Sequence, residues 1–424
     1  MAKRTLTERD QAVIWHPYTQ MQHAAPPIPV VRGEGVYLID ETGKKYLDAI
    51  SSWWVNIHGH AHPYIAEKVA EQLKTLEHAI FAGFTHPAAV ELAEKLLHIL
   101  PEEQAKVFYS DNGSTAVEVA LKMCFQYWSN VGKPRTKVLA FRNSYHGDTF
   151  GAMAVSARSA FTEPFEKLLF EVEFIDLPDK NNISSLKSQV SNLKSDLAAF
   201  IFEPLVQGAG GMLMYEAEFL DELLKHCKQE GILTIADEVM TGFGRTGKLF
   251  ATDHLTEKPD VMCFSKGLTG GTMAMGITTC TQQIYQAFLS DDKLKTLFHG
   301  HSFTANPVAC SAALASMHLL LLPQTLASIK RIAARHTQFK TKIAAHPKLK
   351  HIRQTGTILA LEWQTGRNTS YFNQLRDKLY QFFLSEGIIL RPLGNIIYIL
   401  PPYCISNEEL DYIYGKIEQA LYQF

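Results

Sequence analysis

With 424 residues, the chain is long enough for about two or three domains and a large enclosed core. Lysine plus arginine number 41 against 43 acidic residues, a net charge of −2, which argues against nucleic acid or an anionic membrane surface as partner. No apolar run reaches ~18 residues, and the opening MAKRTLTERD has no apolar stretch behind its positive charge. Cys124, Cys227, Cys263, Cys280, Cys310 and Cys404 are scattered, without a C-x-x-C pair, as single thiols in a reducing compartment would be. A soluble cytoplasmic enzyme is the expectation.

Pro26, Pro27 and Pro29 mark a loop-rich start. VYLID and KYLDAI then flank Glu41-Thr42-Gly43, which predicts a hairpin between Val30 and Leu47 with the glycine at a positive-φ position. From Pro63, which suits a first helical turn, Ile65, Val69, Leu73 and Leu76 recur at helical spacing. The middle of the chain alternates short apolar runs with amphipathic stretches. KVLAF (137–141), FEVEFI (170–175), AAFIF (198–202), ILTIA (232–236) and VMCF (261–264) read as strands, with helices at 115–129 and 217–230. Such alternation predicts right-handed βαβ crossovers and a mainly parallel sheet. A long helical stretch runs from Asn306 to about Ala344, followed by strands at 357–363, 388–391 and 396–400 and closing helices. The organisation that follows is a large α/β domain over residues 60–305 and a smaller α+β domain assembled from 1–59 and 306–424.

Open parallel sheets gather ligands beyond the carboxyl ends of their strands. ILTIA is followed at once by Asp237-Glu238-Val239, and VMCF by Ser265-Lys266-Gly267. Near 110, Ser110-Asp111-Asn112-Gly113-Ser114-Thr115 opens a helix, where Thr115-x-x-Glu118 suggests a capping box and Gly113-Ser114 an anion cradle of free N–H groups. Ser144-Tyr145-His146-Gly147-Asp148 puts an aromatic ring at another strand end. An anion cradle, an aromatic plate, a carboxylate and a lysine are the four parts a pyridoxal phosphate site needs. Helix N–H groups suit its phosphate and an aromatic face its ring; a carboxylate keeps the ring nitrogen protonated, and a lysine amine meets the aldehyde. Each part alone has a plainer reading as a cap, a turn, a core aromatic or a solvated loop lysine. Their joint occurrence at strand ends favours the cofactor.

DNGSTAVEVALKMC, SYHGDTFGAMAVS, EPLVQGAGGM, ADEVMTGFGRTGKLFA and SKGLTGG resemble the class III (omega) aminotransferases of the fold type I pyridoxal-phosphate enzymes, over essentially the whole chain. The resemblance implies that Lys266 bonds the cofactor, that Asp237 faces the pyridine nitrogen, and that Gly113 and Ser114 hold the phosphate. It further implies that Tyr145 stacks on the ring and that Glu203 lies close by. Fold type I enzymes are dimers with shared active sites. HGHSFTANP (299–307) looks like the segment lent to the neighbour, with Gly300, His301 and Ser302 near the partner's cofactor and substrate. Where many relatives carry Pro-Thr or Tyr-Thr, this chain has His301-Ser302, which keeps the hydroxyl.

The chain ends narrow the resemblance. WHPYTQ (15–20), SSWW (51–54) and LRPLGNIIY (390–398) are similar to the branch of that family that moves an amino group from S-adenosyl-L-methionine to 8-amino-7-oxononanoate in biotin biosynthesis. A long apolar acceptor ending in a carboxylate suits an aromatic channel of Tyr18, Trp53 and Trp54, with Tyr398 close by, closed by the Arg391 guanidinium. A sulfonium donor suits the same aromatic faces. Core or interface packing for the tryptophans and a surface ion pair for Arg391 are the plain alternatives. The rival activities are a class III enzyme acting on ornithine or 4-aminobutyrate, an aminomutase acting on a semialdehyde, and the same acceptor with lysine as donor.

Two motifs are set aside. Gly242-Phe243-Gly244-Arg245-Thr246-Gly247 matches a dinucleotide fingerprint, but DEVMT separates it from its strand and KLFATDH is a poor helix start. A nicotinamide oxidoreductase is disfavoured accordingly, and Arg245 reads as a group behind the substrate carboxyl or Glu203. His58-Gly59-His60-Ala61-His62 lacks a carboxylate or cysteine at useful spacing and reads as a turn before Pro63 rather than a metal site.

Overall fold

The computed structural model describes residues 4–366 and 373–424; the first three residues of the opening segment lie outside it. A seven-stranded sheet runs in the order Gln104–Ser110, Gly276–Thr281, Val261–Phe264, Leu233–Asp237, Leu197–Phe202, Lys137–Phe141, Val172–Ile175. Every neighbouring pair is parallel except the two that involve Gly276–Thr281, which runs against both of its neighbours. The remaining six strands therefore point one way and end at one edge. The reversed strand is absent from the sequence reading, because GITTCT is mostly small and hydroxylated and lacks the aliphatic run that marks the others.

Both faces of the sheet are covered, and Leu197–Phe202 is buried throughout. Its side chains alternate: Phe200 and Phe202 join one core, and Ala199 and Ile201 join the other, under the helix Gly113–Asn130. The predicted hairpin forms between Tyr37–Asp40 and Lys45–Asp48, in a small sheet with Val30–Glu34. Asp40 ties its turn by accepting from the Thr42 and Lys44 amides at 2.9 and 3.0 Å, with Gly43 at φ +88°.

Ile388–Ile389 completes that N-terminal sheet as a fourth strand, parallel to Lys45–Asp48. On this pairing of the two chain ends we propose the division into 60–305 and a unit built from 1–59 with 306–424. The stretch from Asn306 is two helices, Pro307–Leu320 and Pro323–Ile343, because Pro323 lacks the N–H that continuation would need. The first is apolar on nearly every side and packs on Pro63–Thr75, Pro87–Ile99 and the turn Lys266–Thr269, so it crosses the proposed boundary. Among the described residues, no single helix is long and apolar enough to cross a membrane.

Candidate active site

Four parallel strands bring their end residues to one edge of the sheet. Asp237 closes Leu233–Asp237, Glu203 follows Leu197–Phe202, Lys266 lies two residues past Val261–Phe264, and Tyr145 and His146 follow Lys137–Phe141. Lys266 holds a left-handed backbone at φ +48°, an uncommon state for a residue with a Cβ. Its Nζ lies 4.6 Å from the centre of the Trp54 ring and makes no hydrogen bond among the described residues. Removal from water pushes this amine down to about 8, against the opposing pull of Asp237 and Glu203.

Asp237 is 5% exposed and stands 2.7 Å from His146 Nδ1 through Oδ2, while its Oδ1 accepts from the Val239 amide at 3.1 Å. His146 is buried as well, and its Nε2 has no partner among the described residues. The sequence reading passed over this histidine, although it stands beside Tyr145 in a strand-end loop; that position was the available signal. Glu203 accepts from the Tyr145 amide through Oε1 and from the Gly208 amide through Oε2, each at 2.9 Å. Burial pushes its carboxyl up to about 7 despite these donors and nearby His146. Its geometric effect is to fix the loop that presents Tyr145.

The helix after Gln104–Ser110 begins at Gly113, capped by the Asn112 side chain on the Thr115 amide at 3.0 Å. The capping box pairs Asn112 with Thr115, and Glu118 instead accepts from the Gly151 and Ala152 amides at 2.8 and 3.1 Å. A Cβ at position 113 would meet Val239 Cγ1 at 2.8 Å, so glycine lets the helix start lie against the residues that follow Asp237. Ser114 Oγ accepts from the Asp148 amide at 3.3 Å and joins the cradle to the Tyr145 loop.

Tyr145 is partly buried, with its hydroxyl 3.3 Å from that of Tyr18. Tyr18 also donates to Asp148 and stands 5.7 Å, ring to ring, from both Trp53 and Phe161. The Arg391 guanidinium lies over the Trp53 ring at 4.5 Å. Trp54 is buried, edge-on to Tyr398, and its Nε1 donates to the Tyr398 hydroxyl at 3.1 Å. Tyr398 itself is only 2% exposed and stands behind Trp54. The tryptophans sit on a strained turn in which Ser51, Ser52 and Trp54 all have positive φ. Asp48 holds that turn through the Ile50 and Ser52 amides at 3.1 and 2.6 Å, and Ser51 Oγ donates to the Leu400 carbonyl at 2.8 Å. Residues from 11 to 27, with Trp53 and Arg391, line a cavity of ≈ 460 Å³.

Arg245 is buried and close enough to Lys266 for its positive charge to help lower that amine. Its guanidinium donates to the carbonyls of Pro401, Leu400 and Trp54 at 2.9, 3.4 and 3.5 Å, which ties the GFGRTG segment to both chain ends. His301 stands 3.5 Å from Asp111 Oδ2 and 3.0 Å from His299 Nε2 within its own chain. Gly300 and Ser302 are exposed, and Ser302 makes no hydrogen bond among the described residues. His60 is taken up by Asp48 at 2.8 Å.

The geometry fits pyridoxal phosphate on this chain's own terms: a neutralisable lysine without a hydrogen-bond partner among the described residues, a carboxylate fixed by a buried imidazole, and a helix start past a further strand of the same sheet. Comparison with known proteins points the same way. Residues 18–421 match the family model Aminotransferase class-III. The adenosylmethionine-8-amino-7-oxononanoate aminotransferase of Synechococcus elongatus is 47% identical over 418 residues, covering 96% of this chain and 98% of the relative. The crystal structure of the enzyme of that name from Methanocaldococcus jannaschii superposes with a TM-score of 0.95 at 34% identity, covering 99% of this chain and 98% of that one. An omega transaminase from Pseudomonas jessenii in complex with PMP follows at 0.93 and 25%, with 99% and 98% covered.

Proposed function

Since the chain belongs to the class-III aminotransferases, which makes it a pyridoxal-phosphate-dependent transaminase, we propose that it carries the amino group of S-adenosyl-L-methionine to 8-amino-7-oxononanoate. The product is 7,8-diaminononanoate, on the way to biotin. The name shared by relatives at 34–47% identity supports this reading. The structural observation that carries it is the Arg391 guanidinium held over the ring of Trp53, whose chain neighbour Trp54 lies against Lys266 Nζ.

Bound pyridoxal phosphate supplies an aldehyde that condenses with amines and a protonated ring that draws electrons from the carbon losing its proton. The protein's groups set up each requirement. Lys266, with its amine brought down to about 8, keeps an appreciable unprotonated fraction near neutrality, as bonding to the aldehyde requires. The same Nζ, when unbonded, would be the base placed to take the proton from the substrate carbon and return it. Asp237 would hold a proton at the ring nitrogen, with His146 fixing the carboxylate for that task. Gly113 and Ser114 offer helix N–H groups to the phosphate. Tyr145, whose loop Glu203 sets, would offer its aromatic face to the ring. Tyr18, Trp53 and Trp54 exclude water along the channel and suit the donor's sulfonium, while Arg391 grips the acceptor's carboxylate.

The reading extends to a homodimer in the cytoplasm. Ile80, Phe84, Phe298 and Phe303 are exposed, with Phe303 5.4 Å ring to ring from His78, and an apolar face of this kind calls for cover. A second copy seated there would bring Gly300, His301 and Ser302 toward its partner's site. Unpaired thiols support the reducing compartment. A donor panel with 8-amino-7-oxononanoate as acceptor tests the central reading. Adenosylmethionine should sustain ping-pong turnover; transfer from lysine alone would overturn the donor, and failure of the acceptor with every donor would overturn the reaction.

A further inference from the structure

The histidine run before Pro63 begins against the element that carries Lys266. His58 is buried, and its Nε2 lies 3.1 Å from Ser316 Oγ. Ser316, 1% exposed on the helix Pro307–Leu320, donates that hydroxyl to the Gly267 carbonyl at 3.1 Å. A hydroxyl has one proton, so the histidine must donate from Nε2 to the serine oxygen. The chain His58 to Ser316 to Gly267 is therefore polarised in one direction. It terminates on the residue immediately after the left-handed Lys266.

The rest of the turn is fixed around this tether. Ser265 Oγ donates to the Met275 carbonyl at 2.6 Å, on the other side of the lysine. The Gly270 amide returns to the Gly267 carbonyl at 3.0 Å, and a Cβ on Gly270 would meet His58 Cδ2 at 3.0 Å. A lysine does not hold φ +48° unaided, because its Cβ crowds the neighbouring carbonyl. Something must over-determine that backbone, and the hydrogen bond to Gly267 lies next to it in the chain.

We propose that His58 and Ser316 are positioning residues, a relay that holds the Lys266 backbone left-handed and thereby aims its amine. The proposal rests on the assignment of Lys266 to the cofactor. The test begins with Ser316→Ala, which removes one hydroxyl and leaves the helix intact. In the holoenzyme kcat should fall about tenfold in both half-reactions with KM for donor and acceptor unchanged, the order of one lost hydrogen bond. In the apo chain the reaction of Lys266 with an amine-selective reagent should change by a similar factor, while the melting temperature stays within a few degrees. His58→Leu should repeat the effect; His58→Gln, which keeps an N–H donor, should restore kcat to within about twofold. Wild-type kcat and lysine reactivity in Ser316→Ala and His58→Leu would overturn the relay. So would a loss that tracks melting temperature and appears equally in His58→Gln. Borohydride trapping in the wild-type enzyme separates this from the parent reading, which fails only if the cofactor is found away from Lys266.

Discussion

Lys266, Asp237 and Glu203 stand at the ends of three adjoining parallel strands, whereas Tyr18, Trp53 and Arg391 come from loops at opposite ends of the chain. The first group inherits its spacing from the sheet, since neighbouring strands lie about 4.8 Å apart and their end residues can move only with the backbone ladder. The second group has no such ladder. Its aromatic and cationic groups are held by one another and by a strained turn, and Tyr18 and Trp53 are 43% and 39% exposed. On the proposed reading, the chemistry sits on the sheet and the choice of substrate at the loops, which can vary without disturbing it.

Substitutions on each side should divide the kinetics accordingly. The largest effect is expected of Lys266→Ala, which should lower turnover by roughly 10⁴-fold or more while circular dichroism shows a folded chain. A near-normal rate would end the assignment of Lys266. Arg391→Lys comes next. Lysine cannot reproduce the planar, bidentate grip, so KM for 8-amino-7-oxononanoate should rise roughly 10–100-fold while the absorbance of the bound cofactor is unchanged. A fall in kcat at constant KM would instead place Arg391 with the first group. The smallest effect concerns Glu203 in the apo chain. Its carboxyl keeps its proton up to about 7 when folded, against 4.5 as the ordinary value, so between these limits the folded state binds more protons than the unfolded one. Stability should therefore decline as pH rises across that window and level off above it. Glu238, buried among the amides of Ala251 and Thr252 and also raised to about 7, contributes in the same sense. Glu203→Gln should reduce the slope without abolishing it; melting curves with an unaltered slope would free Glu203 from this role.

The same division explains what could be read without coordinates. Strand ends are legible because aliphatic runs such as ILTIA and VMCF announce them, and the next one or two residues are the site. Lys266 and Asp237 come directly from that rule, and Gly113-Ser114 from the signature of a helix start. His146 escaped it because its partner, Asp237, is remote in sequence and only the strand order brings the two together. Gly276–Thr281 escaped because its burial comes from neighbours on both sides and not from its own composition. The three backbone carbonyls that Arg245 ties together could not be read in advance, because Trp54, Leu400 and Pro401 are remote from it in the chain. The loop group was visible only through its resemblance to a family branch, since no periodicity joins residue 18 to residue 391.

The turn beneath the two tryptophans has a consequence for reshaping the site. Asp48 and Leu400, and not the Trp53 indole, keep Ser51 and Ser52 in their unusual torsions. The indole is thus an ornament on a frame that stands without it. Trimming position 53 would leave that frame in place, whereas trimming Asp48 would remove the acceptor that holds two of its amides.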